Sequence, residues 1–527
     1  MQDTREDGQQ PGIAADSSHE GRIAKTAPVL GSTLQLLVDP FTTGRFSLIH
    51  HRCLVWFLCT IRGMKSRLIV SAILLFLTAV ANAELQTMRI DYYHTGNAET
   101  EIFGMDRVVI EPTPWPGNPS QDIDGTNLGN YLFEVRDQKS DAVLYSRGFS
   151  SIYAEWKTTE EAKSVRRTFS ESLRFPAPNA PVKIVLKDRK EGAFHEVWTF
   201  NLDPKDMFID NSRPPSPGPV ITFQKSGDPA QKVDLLIMGD GYTAAQRPKF
   251  EKDARRLVEI LFSTSPYKEH RNEFNVWGLC PPAVESGISR PSTGIHRHNP
   301  LGTSYDAFGS ERYVLTYDNR ALREAASNAP YEFIEILVNA DTYGGGGIFN
   351  LYATVASDSQ WSPYVFVHEF GHHFAGLADE YYTSDVAYNP TAVKTEPWES
   401  NVTALLDPKQ LKWRDLVDPG TPLPTPWHKE EFENYEHTIQ GQRRQLRAQG
   451  RPESEMNQLF ENEKRHEDTL LATDTYAGKV GAFEGANYEA RGYYRPQENC
   501  IMFTRHDSFC AVCRTAIERI IAMYSSR

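Results

Sequence analysis

The sequence predicts an all-β sandwich followed by an α/β domain with a mixed sheet. Short runs rich in β-branched and aromatic residues, separated by turn residues, fill residues 84–214. A proline-rich stretch at residues 211–219 is typical of a stiff linker between domains. Beyond it, over residues 220–527, apolar strand patterns alternate with helical periodicity. The chain is therefore expected to fold as two domains in this order.

The start of the chain contains the pattern of an export signal. A short basic segment begins at Met64, an apolar run follows, and a small-x-small cleavage site ends at Ala83. This order indicates a signal peptide at residues 64–83, and its apolar run is too short to span a bilayer comfortably. We expect a secreted or periplasmic protein without stable membrane insertion. Residues 1–63 are then a non-native upstream extension.

The overall charge argues against one class of partner. The net charge is −13, and the Lys and Arg residues form no long basic tract. Proteins that hold nucleic acid through phosphate contacts need concentrated positive charge. We therefore expect no nucleic-acid partner.

Four cysteines remain after the predicted cleavage. An even number in an oxidising compartment is typical of disulfides, and we expect one or two. The C-x-x-C spacing of Cys510 and Cys513 is also found in zinc sites, but no second ligand pair has the right spacing. The pairing stays open among Cys280, Cys500, Cys510 and Cys513.

The strands of the first domain are predicted from composition and turn signals. Each is dominated by β-branched, aromatic or Leu residues, with Pro, Gly, Asn and Asp between the strands. No group of catalytic or metal-binding side chains accompanies them. They lie at residues 131–135, 142–145, 182–186 and 197–200.

The second domain opens with a strand, a turn and a helix. Residues 233–238 are a buried-strand run, and residues 244–262 have helical periodicity. Two further strands at residues 274–280 and 333–339 enclose a helix at 321–326. This alternation predicts a mixed sheet covered by helices.

A glycine run stands before the next predicted strand. Glycines at residues 344–347 precede an apolar run at 348–355, which we predict to be a strand. Glycines let another backbone approach closely, and a sheet edge here could pair with an extended peptide. A flexible loop is the alternative interpretation.

Two helical segments are predicted near the C-terminus. Residues 428–472 are rich in Glu, Arg, Gln and Lys, which indicates an exposed helical hairpin inserted into the domain. We expect its charges to be solvated. Residues 510–524 carry apolar side chains at helical spacing and should form a helix with one buried face.

The pattern H-E-x-x-H occurs at residues 368–372. On a helix this spacing places His368 and His372 one turn apart on one face, where both imidazoles can bind one Zn²⁺. Glu369 then lies beside the metal, where a general base is needed. His373 points away from this face. A structural helix with solvated histidines is the alternative interpretation.

The flanking residues support a helix and supply a third ligand. Ser362 followed by Pro363 is typical of an N-cap and the first helical position. Gly376 can adopt the left-handed conformation that ends a helix. Asp379 can then turn back as a third ligand, with Glu380 as the alternative. Two histidines, a carboxylate and an open fourth position are the ligand set of a catalytic zinc site.

The combination of motifs resembles two related groups of enzymes. Residues 368–382 with residues 500–502 resemble the metzincin zinc peptidases, in which the same helix, a glycine turn and a Met-turn under the metal recur. With residues 239–243 and 345–348, they more closely resemble the bacterial IgA-peptidase family of secreted zinc metallo-endopeptidases. The resemblance implies a metzincin-like α/β domain, preceded by the N-terminal domain of that family.

The resemblance also implies roles for individual residues. Relative to the usual metzincin spacing, Gly376 and Asp379 each lie one position further along the chain. Tyr381 and Tyr382 are candidate oxyanion stabilisers by proximity alone. The roles carried over are zinc ligands for His368, His372 and Asp379, general base for Glu369 and Met-turn residue for Met502.

The sequence therefore predicts a secreted zinc-dependent endopeptidase. Its substrate would be a protein or peptide, hydrolysed by a zinc-activated water with a glutamate as general base. The alternative is an extracytoplasmic glycan- or protein-binding protein with a structural or vestigial zinc site. The identity of the substrate and the oligomeric state stay open.

Overall fold

The computed structural model describes residues 85–384 and 394–525. The predicted extension at residues 1–63 and the predicted signal peptide at 64–83 lie outside the described residues. Within the part of the chain that is described, no helix is long and apolar enough to cross a bilayer.

Two antiparallel sheets build the N-terminal part. Their strand orders are β2-β1-β5 and β4-β3-β6-β7, and a short helix follows β4. Apolar side chains from both sheets, such as Ile90, Phe133 and Ile184, share one core. The four predicted strands are confirmed. The elements are β1 (Gln86–Gly96), β2 (Glu101–Pro114), β3 (Tyr131–Asp137), β4 (Val143–Phe149), α1 (Ile152–Trp156), β5 (Arg167–Pro176), β6 (Val182–Lys190) and β7 (Ala193–Leu202).

The polar face of β1 and β5 is buried against the rest of the chain. Arg89 pairs with Asp91 at 2.8 Å and with Glu111 at 3.0 Å, and it donates to the carbonyl of Arg323 at 3.3 Å. Arg174 pairs with the same Glu111 at 2.9 Å. Buried charges need such partners. Because its charged residues are buried, β1 lacks the alternation of buried apolar and exposed polar residues that is typical of a strand. The sequence pattern therefore did not reveal it.

A six-stranded mixed sheet forms the centre of the second part, in the order β14-β15-β13-β9-β10-β8. Strands β9, β10, β13 and β15 are parallel, and β8 and β14 are antiparallel edge strands. The predicted mixed sheet is confirmed. The strands are β8 (Ile221–Gln224), β9 (Val233–Asp240), β10 (Phe274–Leu279), β11 (Thr303–Ser304), β12 (Leu315–Thr316), β13 (Phe333–Val338), β14 (Gly345–Ile348) and β15 (Tyr352–Ala356); β11 and β12 form a separate ribbon.

Helices cover this sheet and extend from it. The helix with the H-E-x-x-H pattern packs on β14 and β15 and contacts two further helices. The helical hairpin and the C-terminal helix are confirmed, and a β-hairpin separates them. The elements are α2 (Arg247–Leu261), α3 (Asn319–Ala326), α4 (Ser362–Ala375), α5 (Lys429–Ala448), α6 (Glu453–Ala472), β16 (Phe483–Ala486), β17 (Glu489–Arg495) and α7 (Ala511–Tyr524).

Two local predictions were wrong. Helix α4 begins at Ser362, and the N-cap is Trp361. The Ser362 hydroxyl does not cap the helix and instead accepts a hydrogen bond from Arg256 at 3.1 Å. The predicted strand at residues 348–355 is two strands, because Asn350 has a φ of 55° in the turn between β14 and β15.

The glycine run lies directly against α4. A Cβ on Gly347 would stand 2.3 Å from the carbonyl oxygen of Glu369 and 3.0 Å from the Cβ of His372. A Cβ on Gly345 would stand 2.5 Å from Val365. Because glycine has no side chain, β14 can approach the helix this closely. The glycines form a paired edge strand, and the flexible-loop interpretation was wrong.

We expect Gly347→Ala to destabilise the fold by about 2 kcal/mol, because the added methyl group overpacks the contact between β14 and α4. Gly441 is the matched control, since a Cβ there meets no atom within 4 Å. Gly441→Ala, in the exposed face of α5, should be neutral or stabilising by up to about 1 kcal/mol. Urea unfolding followed by circular dichroism measures both; equal midpoints for the two variants would contradict the close packing.

Candidate metal centre

Three of the predicted site residues meet at one point. Nε2 of His368 and Nε2 of His372 are 3.1 Å apart on α4. The helix ends at Gly376, whose φ of 59° is left-handed as predicted, and the chain then turns back. Oδ1 of Asp379 thereby lies 3.0 Å from Nε2 of His368 and 3.2 Å from Nε2 of His372.

The geometry of these three atoms suits a tetrahedral metal ion. Bonds of about 2.0–2.1 Å to Zn²⁺ would separate neighbouring ligand atoms by about 3.3 Å. Oδ1 of Asp379 is buried and has no hydrogen-bond partner among the described residues. The two imidazoles and this carboxylate oxygen could therefore hold a metal together.

Backbone carbonyls fix the orientation of both imidazoles. Nδ1 of His368 lies 3.0 Å from the carbonyl oxygen of Ile501, and Nδ1 of His372 lies 2.6 Å from that of Leu377. A carbonyl only accepts, so each Nδ1 carries the proton it donates. The lone pairs of both Nε2 atoms then face the shared point, as in metal sites whose histidines are oriented by outer partners.

The local field favours a cation at the shared point. Burial lowers the pKa of His372, but Asp379 and Glu369 outweigh it and raise the pKa to about 10. Burial would likewise raise the pKa of Asp379, but His372 and His368 hold it well below its usual value. Positive charge beside the Asp379 carboxylate is therefore stabilised.

Glu369 occupies the position expected of a base. One of its carboxylate oxygens lies within 4.8 Å of ring nitrogens of both His368 and His372. The side chain is half-buried and lines the cavity above the helix. Burial is the largest cause that raises its pKa, against the charges of the two histidines. A raised pKa strengthens a carboxylate as a proton acceptor.

His373 points away from the face of His368 and His372, as predicted, and its ring contacts the sheet. Its side chain is fully buried, and its Nδ1 donates to the carbonyl of Ile348 at 3.0 Å. Its Nε2 accepts from the backbone N–H of Ile334 at 3.0 Å. Burial lowers its pKa to about 3, so the ring is neutral and links α4 to the sheet.

Met502 lies under the helix. The side chain is fully buried, and its Sδ lies 3.2 Å from the position that a Cβ on Gly371 would take. Its carbonyl accepts from the N–H of Glu380 at 2.8 Å. The segment with Met502 thus supports both α4 and the turn that presents Asp379.

Glu380 points away from the histidines. Its Oε1 accepts from Asn401 at 2.9 Å and lies 3.4 Å from Sγ of Cys513. The geometry therefore favours Asp379 over Glu380 as the third ligand.

Tyr488 also reaches the site, although no sequence motif indicated it. It stands with Asn487 in the turn between β16 and β17, where both residues have a positive φ of 64° and 52°. The Tyr488 hydroxyl donates to Oδ2 of Asp379 at 2.5 Å, and the Asn487 N–H donates to the Asp379 carbonyl at 3.0 Å. Asn is a turn signal. Nothing in the sequence indicated which segment this turn would contact.

The two tyrosines proposed by proximity lie in different environments. Tyr381 lines the cavity, and Arg312 donates to its hydroxyl at 3.2 Å. Tyr382 is buried in an apolar cluster, where its ring stacks with Phe503 at a centroid distance of 6.4 Å. Of the two, only Tyr381 faces the space above the histidines.

A cavity of about 710 Å³ opens above the site. The helical hairpin contributes three of its buried glutamates, Glu436, Glu463 and Glu467. Arg505 pairs with Glu463 at 2.6 Å. The expectation that the hairpin carries only solvated charge was therefore wrong for these residues, because composition does not show which face of a helix is buried.

Two family models match the chain. Residues 221–521 match the family IgA Peptidase M64, and residues 81–199 match Peptidase M64 N-terminus. The chain belongs to the IgA peptidase M64 family. As an M64 peptidase it is a peptide hydrolase of the metallopeptidase class that acts on protein or peptide substrates. This favours an enzyme over the alternative of a binding protein. No curated protein matches the chain.

We expect Tyr488→Phe to weaken metal binding roughly 10- to 100-fold, because Asp379 loses the hydroxyl that orients it. Tyr494→Phe, on the same β-hairpin but outside the cavity lining, is the control and should bind metal as the wild type does. Competition for zinc against a fluorescent chelator measures both affinities. Equal affinity for Tyr488→Phe and the wild type would rule out this role.

Proposed function

We propose that the protein is a secreted zinc-dependent endopeptidase with a metzincin-like site. Zn²⁺ would be held by His368, His372 and Asp379. The observation that carries the proposal is the approach of their ligand atoms to within 3.2 Å of one another. Nitrogen and carboxylate ligands with an open fourth position suit catalytic zinc.

The chemistry divides between the metal and one carboxylate. Bound Zn²⁺ would act as a Lewis acid, polarising the scissile carbonyl and lowering the pKa of water towards about 7. A carboxylate oxygen of Glu369 accepts a proton from the attacking water. The same oxygen then donates this proton to the amide nitrogen as the C–N bond breaks. Burial raises the pKa of Glu369 and so strengthens it as the proton acceptor in the first of these transfers.

The edge strand β14 is suited to align an extended peptide. Gly345 donates to the carbonyl of Arg312 and accepts from the N–H of Val314, both at 3.1 Å. Because backbone groups alternate along a strand, the N–H and C=O of Gly347 point to the same side of β14 as those of Gly345. Gly347 also lines the cavity. We infer that a substrate backbone pairs with Gly347, directly beside Glu369.

Tyr381 is the best placed of the candidate oxyanion stabilisers. Its hydroxyl faces the cavity and accepts from Arg312, which leaves its own proton to donate. Arg312 lies over the Tyr381 ring at 5.5 Å and keeps positive charge nearby. Such a donor stabilises the negative charge that develops on the scissile carbonyl oxygen.

We expect Glu369→Gln to lower peptide hydrolysis by at least about 10²-fold, because the amide cannot accept the proton of the attacking water. Metal content should stay at the wild-type level, since the three ligands are intact. Glu518→Gln makes the same charge change on the exposed side of α7, outside the lining of the cavity, and serves as the control. Chelator-sensitive cleavage of casein and elemental analysis are the measurements; wild-type turnover by Glu369→Gln would overturn the mechanism.

The proposed export depends on a signal peptide at residues 64–83. A β-domain at 84–214 and a peptidase domain at 220–527, with a helical insertion at 428–472, would follow it. Expression from Met64 in a bacterial host should yield an exported protein whose first residue is Glu84. N-terminal sequencing of the periplasmic or medium fraction checks this. Replacing Ala83 with a bulky Phe should block processing. A chain that keeps Met64 and stays in the cytoplasm would contradict the proposal.

A further inference from the structure

A second group of ligand atoms lies beneath the candidate metal centre. Glu380, Cys500, Cys510 and Cys513 each offer one ligand atom, and these atoms all lie within 4.8 Å of one another. The most exposed of the four residues is Cys510 at 4%. None of the four described cysteines forms a disulfide. Three thiols and a carboxylate are thus gathered in one buried group.

Two separations within this group match those of a tetrahedral metal site. Zn–S bonds of about 2.3 Å place two sulfurs about 3.8 Å apart, and a sulfur and a carboxylate oxygen about 3.6 Å apart. Sγ of Cys500 and Sγ of Cys513 are 3.9 Å apart. Sγ of Cys513 and Oε1 of Glu380 are 3.4 Å apart.

The groups around these four residues stabilise negative charge on the ligand atoms. The N–H of Cys510 donates to Sγ of Cys500 at 3.2 Å, and the N–H of Cys513 donates to Sγ of Cys510 at 3.3 Å. Cys510 is also the N-cap of α7, where the helix dipole stabilises an anionic sulfur. The buried guanidinium of Arg495 interacts electrostatically with Glu380 and Cys500. Thiolates and a carboxylate can therefore coexist here.

One carboxylate oxygen of the group is unpaired within the described part of the chain. Oε2 of Glu380 is buried and has no hydrogen-bond partner among the described residues. Burial of an unpaired carboxylate oxygen is costly. A cation bound to this carboxylate would remove that cost.

We propose that Glu380, Cys500, Cys510 and Cys513 bind a structural Zn²⁺ that is separate from the catalytic site. On binding, the three thiols release their protons to solvent and four ligand bonds form, with no change of oxidation state. All four ligands come from the protein, so no position is open for substrate, as in structural zinc sites.

A disulfide is the competing explanation. It would need two sulfurs to approach to about 2.05 Å, and it would leave the third thiol and the Glu380 carboxylate unexplained. A metal ion bound by all four groups accounts for all of them. The observations therefore favour the metal.

The site would hold together the segments that build the catalytic centre. Glu380 follows Asp379 directly, and Cys500 precedes Ile501, whose carbonyl orients His368. The ion would join these two segments to the start of α7. Its effect on catalysis would be one of positioning.

The decisive measurement is zinc content in matched variants of the full chain. Elemental analysis should find about two zinc equivalents in the wild type and about one in the double variant His368→Ala/His372→Ala. The double variant Cys510→Ser/Cys513→Ser should lose the other equivalent and unfold at a lower temperature. Cys280→Ser, a cysteine outside the group, should keep both equivalents.

The histidine variant decides the question even if the cysteine variant does not fold. Reconstituted with Co²⁺, the histidine variant should show intense thiolate-to-metal charge-transfer absorption, which nitrogen and carboxylate ligands do not give. The proposal is overturned if this variant binds no metal. It is also overturned if intact mass shows the loss of one pair of hydrogen atoms, which a disulfide causes. If the proposed catalytic site binds no zinc but the cysteine site does, the wild type contains one zinc equivalent. Its Co²⁺ form then shows the thiolate charge-transfer absorption.

Discussion

The site depends on the hydrogen bonds that fix the two imidazoles. An imidazole that donates its Nδ1 proton to a carbonyl can offer only Nε2 to a metal. For His372 that carbonyl belongs to Leu377, five residues further along the chain, and for His368 it belongs to Ile501, 133 residues away. The second contact forms only when the segment that carries Met502 lies beneath α4. The orientation of the two imidazoles on one helix is therefore a property of the whole domain.

Close approach of the glycine strand is the second constraint. The carbonyl of Glu369 lies so near Gly347 that no side chain fits between them. The same contact brings the edge of the sheet beside the proposed base, so a peptide paired with that edge would present its backbone to Glu369. In this arrangement one packing contact serves both stability and substrate alignment. The glycines contribute no side-chain packing, but their absence of side chains lets β14 lie directly against α4.

Local chemistry was readable from the sequence, and long-range packing was not. The H-E-x-x-H pattern, the left-handed Gly376 and the return of Asp379 depend on short spacings along one segment. Tyr488 reaches Asp379 through tertiary packing, across 109 residues of the chain. Cys500 meets Glu380 in the same way. The buried strand β1 was missed because its charged side chains, such as Arg89, are neutralised by partners from distant segments. Composition alone cannot reveal such partners.

The adjacent carboxylates of Asp379 and Glu380 show how these long-range contacts act together. Their side chains point to opposite sides of one short segment, Asp379 to the two histidines and Glu380 to the three cysteines. Each is buried, and two buried negative charges on neighbouring residues would repel and lose hydration unless positive charge lay close to both. Arg495 supplies part of this charge beside Glu380. A cation on each side would supply the rest, so metal binding at either site would strengthen the same turn of the chain.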